Sequence, residues 1–144
     1  MVVPPAFIVH GLADARLALA PGLPATLLSA PGAALYAGCG WWQALIQEAR
    51  AEFPAVELID ILDCADGAGQ ALAAVRIGVV RLILWPSARG RAAVEAIVAE
   101  RGGFVLEAAP EALDLAQSGA RRQVLAWLRG ASDGGARDKR GVLG

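Results

Sequence analysis

The chain contains a single histidine, His10, among its 144 residues. Its imidazole is the one side chain here whose ordinary pKa lies near neutrality, so it is the first candidate for a general acid or base. Asp63 is the carboxylate expected to hold or assist it, and we take His10 and Asp63 as the catalytic candidates. The bland alternative is structural. A histidine at a strand end can bond only backbone, and Asp63 can serve only to satisfy loop amides.

A second group of residues has the chemistry to hold a ligand: Ser29, Cys64, Ser87, Arg89 and Arg91. The sharpest stretch is WPSARGR, Trp85 to Arg91. It precedes a predicted helix, where free N–H groups and a positive dipole end favour anions. Ser87 is placed to cap that helix, and Arg89 or Arg91 can fork to a phosphate or carboxylate. The plain reading is a solvated loop whose arginines pair with Glu95 or with nothing.

Asp63 and Asp66 flank Cys64. Two carboxylates can hold a hard cation, but a helix begins right behind Asp66, and an N-cap role is the better account. No metal site is expected. One histidine and two cysteines 25 residues apart, Cys39 and Cys64, form no zinc spacing. A redox pair of these thiols has no CxxC motif behind it. No pattern points to a particular cofactor.

Several chemistries are excluded. The sole lysine, Lys139, lies near the C-terminus among glycines, so a Walker-type phosphate loop and a buried Schiff-base lysine have no candidate. No G-x-S-x-G elbow exists for a serine hydrolase. A phosphorelay receiver would suit an alternating α/β chain, with Asp63 as acceptor. Here His10-Gly11 stands where an acidic pair belongs, and no lysine ends the fifth strand.

The elements that must position these residues are readable. Ala6 to His10 and Ala25 to Ser29 are short apolar strands, Glu57 to Cys64 and Val79 to Trp85 are longer ones, and Phe104 to Glu107 is a fifth. Helical spacing covers Gly11 to Ala20, Trp41 to Phe53, Ala68 to Ile77 and Arg91 to Arg101, and a last helical region opens at Pro110. In Trp41 to Phe53 the stripe is Trp42, Leu45, Ile46, Ala49 and Phe53. Gly78 is placed to end the third helix.

Strands joined by helices must run parallel. The pattern predicts an α/β fold: a three-layer α/β/α sandwich on a mainly parallel five-stranded sheet, flavodoxin-like or Rossmann-like. The alternative is a (β/α) arrangement resembling part of a barrel, since a closed one needs about 250 residues. Residues 1–130 form one domain, and 131–144 read as a flexible C-terminal tail. Ligands of parallel sheets bind beyond the carboxyl ends of the strands, and every candidate above falls there.

Composition bounds the partners. Hydrophobic residues make up 56% of the chain and mean hydropathy is +0.49, which suits helices packed closely on a buried sheet. No apolar run approaches the roughly 18 residues of a membrane span, and the N-terminus lacks a basic region, so a cytoplasmic protein is expected. Net charge is −1, with six of the 13 basic residues after position 120, a weak case for nucleic acid. The expected function is binding of an anionic small molecule, a phosphate- or carboxylate-bearing metabolite, at the carboxyl edge. The competing reading is a non-catalytic homodimeric module that associates through Trp41 or Trp127.

Overall fold

A computed structural model describes residues 2–130. The expected tail at 131–144 lies outside the described residues. In chain order the elements are β1 (Ala6–Ile8), α1 (Leu12–Leu19), β2 (Ala25–Leu28), α2 (Ala33–Tyr36), α3 (Cys39–Glu52), β3 (Leu58–Asp63), α4 (Ala68–Arg76), β4 (Arg81–Ile83), α5 (Arg91–Glu100), β5 (Phe104–Leu106), β6 (Ala112–Asp114), a 3₁₀ turn (Ala120–Gln123) and α6 (Val124–Gly130). No helix among the described residues is long and apolar enough to cross a membrane.

The strands form one sheet in the order β5-β4-β3-β2-β1-β6, with every pair parallel. This is the α/β architecture that the alternation predicts, a parallel sheet flanked by helices. It has six strands rather than five. The extra strand, β6, lies in the region expected to begin the last helix; that helix starts later, at Val124. Tertiary pairing overrides local propensity here. Ala112 to Asp114 adds to the free side of β1, in register Ala6 with Ala112 and Ile8 with Asp114.

From β1 to β5 each crossover steps to the next position in the same direction. Right-handed crossovers that always step one way leave their helices on one face. The packing follows suit. The main core joins Phe7, Leu27, Leu62 and Leu82 from the strands to Leu19, Trp42, Val75, Val94 and Leu128 from five helices. Alternate strand residues form a separate cluster around Leu28, Ile61 and Ile83, packed by Ile8, Ile59, Phe104, Leu106 and Ala112, with no helix residue in it.

That second face is nonetheless dry, with Ile61 and Ile83 fully buried. Chain length explains how. Five residues separate β5 from β6, and six Cα steps reach at most about 21 Å. Six flat strands would span about 24 Å. The sheet must therefore curl, beyond the twist that parallel strands already have, and its apolar inner face packs on itself. Phe104 and Leu106 from one edge strand and Ala112 from the other all touch the same cluster.

Candidate functional site

The strand order runs outward from β1 to β5 and then reverses, with β6 on the other side of β1. In open α/β sheets ligands bind beyond the carboxyl ends of the strands beside such a reversal. Here the reversal falls between β1 and the edge strand β6. His10 follows β1 and Asp114 ends β6. Ile8 belongs to the inner cluster, and the two-residue period of a strand carries His10 to that same face. Asp114 pairs in register with Ile8. The two side chains meet: His10 Nε2 lies 2.7 Å from Asp114 Oδ1, with 39% and 28% of the side chains exposed.

Both partners are braced. The His10 backbone N–H donates to Asp14 Oδ2 at 2.8 Å, so an acidic residue in the first turn of α1 fixes the strand end. The Ala116 N–H donates to Asp114 Oδ1 at 2.9 Å. Partial burial pushes the Asp114 carboxyl up, but the Ala116 amide and the His10 imidazole together outweigh it and hold the group below the usual carboxylate range. An ionised carboxylate only accepts. Nε2 then carries the proton of this bond, and whenever the ring is neutral Nδ1 presents its lone pair. Nδ1 has no partner among the described residues.

Asp63, the predicted partner of His10, instead sits two strands away on the same face. It is 5% exposed. Its backbone N–H donates to Ser29 Oγ at 2.9 Å, and its Oδ1 accepts from the Ala65 N–H at 2.9 Å. Satisfying a loop amide was the bland reading of Asp63, and one oxygen does this. Oδ2 makes no hydrogen bond among the described residues, yet it is not sealed from solvent. Ser29 is buried, its hydroxyl donating to the Ala30 carbonyl at 3.2 Å. Beside them Ala65 holds φ +49°, the one non-glycine residue with positive φ among those described.

Two other candidates, Cys64 and Arg91, are spent on structure. Cys64 is fully buried, and burial, with smaller contributions from Asp63 and Cys39, pushes its thiol up to about 12. It is an inert core residue at physiological pH. Arg91 is committed: Nε donates to the Leu84 carbonyl at 2.8 Å, and Nη1 pairs with Glu95. Ser87 is exposed and does not cap α5, because a turn closed by the Ala88 N–H on the Trp85 carbonyl intervenes and Gly90 is the N-cap. Asp66 does not cap α4 either. It is exposed, and Gly67 is the N-cap. Arg89 is exposed and has no partner among the described residues. No group of three His, Cys, Asp or Glu suited to a metal ion occurs there.

The structure thus brings His10 together with a residue that sequence reasoning missed. The spacing after Pro110 predicts a helix over Asp114; only Leu113-Asp114-Leu115 alternates, too short a run to mark a strand. His10 and Asp63 share a face, with Asp63 nearer Arg89's loop than His10 is. Two cavities lie elsewhere. One of about 370 Å³ is lined by Pro4, Pro5, Leu23, Pro24, Leu128 and Arg129, and one of about 170 Å³ runs beside β5. No family model, curated protein or solved structure matches this chain. Function must therefore be argued from the site alone.

Proposed function

We propose that the carboxyl mouth of the sheet binds a small anionic metabolite carrying a phosphate or carboxylate, and that His10 exchanges a proton with it. The observation that carries this reading is the His10 Nε2–Asp114 Oδ1 bond of 2.7 Å at the point where the strand order reverses. A carboxylate that fixes the ring tautomer and leaves Nδ1 free is the arrangement a general base needs. Asp63 Oδ2 offers a second acceptor on the same face, and Arg89 is a cation at that edge with no partner among the described residues.

The competing reading, a dimeric module without catalysis, has less behind it. Trp127, one of its two expected anchors, turns inward and donates Nε1–H to the Ala6 carbonyl at 2.8 Å. Trp41 is 37% exposed and remains available.

A thermal-shift screen against sugar phosphates, short carboxylic acids and divalent metals tests the proposal. A ligand at a hundred times its Kd adds about 2.7 kcal/mol, which raises Tm by about 5–15 °C in a domain of this size. The expected result is a shift with an anionic class that disappears in His10→Ala and is restored in part by His10→Gln. A flat screen, or a shift indifferent to His10, would remove the basis for the reading.

A further inference from the structure

Of the seven large apolar side chains exposed among the described residues, Val2, Ile77 and Leu125 lie apart, and four lie on one side of the sheet. Leu35, Tyr36, Trp41 and Trp85 are 45%, 70%, 37% and 47% exposed. They belong to α2, the start of α3 and the loop after β4, all at the carboxyl side of the sheet. The segments around Leu35, Ala65 and Trp85 touch one another. A Cβ on Gly32 would lie 3.8 Å from Ala65 Cβ, and one on Gly67 would meet Leu35 Cδ2 at 2.5 Å. The Trp85 N–H donates to the Ala65 carbonyl at 2.8 Å. Trp85 follows Ile83 by two residues, so strand alternation carries it towards the inner face, the side of His10, Asp63 and Asp114.

This surface is not built like the core of a protein interface, which excludes charge. Exposed Trp85, Ser87 and Arg89 share the loop after β4, and exposed Asp66 follows Ala65, whose carbonyl accepts from the Trp85 N–H. Aromatic faces beside an unpaired guanidinium suit a planar ring that carries an anion, the ring stacking and the anion taking the fork. Size points the same way. Three strand positions, about 14 Å when flat, separate the β1 and β4 ends, so a ligand reaching from Arg89 towards His10 is longer than a bare phosphate or a short acid.

We propose that the ligand class of the carboxyl mouth is a mononucleotide, its base stacked on Trp85 and its phosphate held by Arg89. This deepens the reading of the mouth as a binding site and rests on it.

The experiment measures binding of adenosine 5′-monophosphate, adenosine and ribose 5-phosphate by calorimetry to the full chain and to Trp85→Leu, Trp85→Phe, Arg89→Met and His10→Ala. The nucleotide is expected to bind at least about tenfold tighter than ribose 5-phosphate, with Trp85→Leu abolishing that advantage. Trp85→Phe keeps a ring and most of the advantage, which separates lost stacking from a damaged fold. Arg89→Met weakens both phosphate compounds alike and leaves adenosine unchanged. Equal binding of nucleotide and ribose 5-phosphate, or a nucleotide affinity untouched by Trp85→Leu, overturns the proposal. If the anions still shift Tm through His10 in that case, the mouth survives as a site and only the ligand class falls. Nucleotide binding that depends on Trp85 and Arg89 but not on His10 supports the ligand class and removes His10's role. A dimer that dissociates in Trp85→Leu, with no nucleotide bound, would assign the surface to a second copy and overturn the proposal.

Discussion

Two carboxylates of this sheet, Asp60 and Asp114, each meet a basic partner, and they are used in opposite ways. Asp60 lies under α3, 4% exposed, and its Oδ1 receives Nη2 of both Arg50 and Arg81 at 2.6 Å. The same arginines donate to the Leu58 and Asp60 carbonyls. The cluster ties the end of α3 to β3 and the start of β4, and it holds both guanidiniums in fixed geometry. Asp114 is 28% exposed and meets one imidazole, whose Nδ1 has no partner among the described residues. A buried carboxylate needs every bond it can collect. A site that must admit a ligand has to leave one unmade.

Breaking the closed cluster has the largest expected effect. Asp60→Ala leaves two guanidiniums without their carboxylate and should cost about 3 kcal/mol, the lower end for a broken buried pair because both arginines reach solvent. Urea unfolding measures it. A loss under about 1 kcal/mol would mean that the cluster behaves like a surface pair. Ligand binding at the mouth should be unchanged in this variant once it is folded.

Cys64 sharpens the same contrast by reactivity. With its thiol pushed up to about 12, roughly one molecule in ten thousand is a thiolate at pH 8. A thiol reagent should label half-buried Cys39 in the native protein and reach Cys64 only on unfolding. Native labelling of both at similar rates would show that the carboxyl end of β3 opens.

At the mouth the expected stability change is smaller. Asp114→Asn should cost less than about 1 kcal/mol but release the imidazole tautomer, which the nitrogen chemical shifts of His10 report. The pH dependence has a definite sign. Asp114 is held below its unfolded value in the native state, so its contribution is complete above the ordinary carboxylate range and fades as pH falls through the depressed value. Between pH 5 and pH 2 the wild type should lose more stability than Asp114→Asn. An identical acid profile for the two would show that the pair adds nothing to the fold.

The weakest effect belongs to the surface. Arg16 Nε and Nη2 make a two-pronged contact with Glu52, which raises the arginine and lowers the carboxyl through their hydrogen bond. Both groups are solvated, and Arg16→Ala should leave the urea midpoint unchanged. A clear drop would place α1–α3 docking among the stabilising contacts.

Much of this was legible in the sequence because local rules decide it. Apolar runs flanked by proline and glycine marked five strands, and the period of Trp42, Leu45, Ile46 and Ala49 marked α3 and its buried face. Gly78, at φ +93°, follows α4 as predicted because few other residues take that conformation readily. Where two local rules competed, the reading failed. Asp66 and Ser87 both looked like caps, yet each helix begins later, after glycine. Nothing in the spacing says how many turn residues precede a first helical bond.

What the sequence determined by itself is therefore the α/β class, the parallel direction of its strands and the edge to which His10, Asp63 and Arg89 are delivered. Short-range periodicity and the reach of the connections suffice for these. Which residues meet there was decided only by tertiary structure. Asp114 lies 104 residues from His10, and its strand exists because β1 had a free side. Five linking residues then forced the sheet to curl until that side lay within reach.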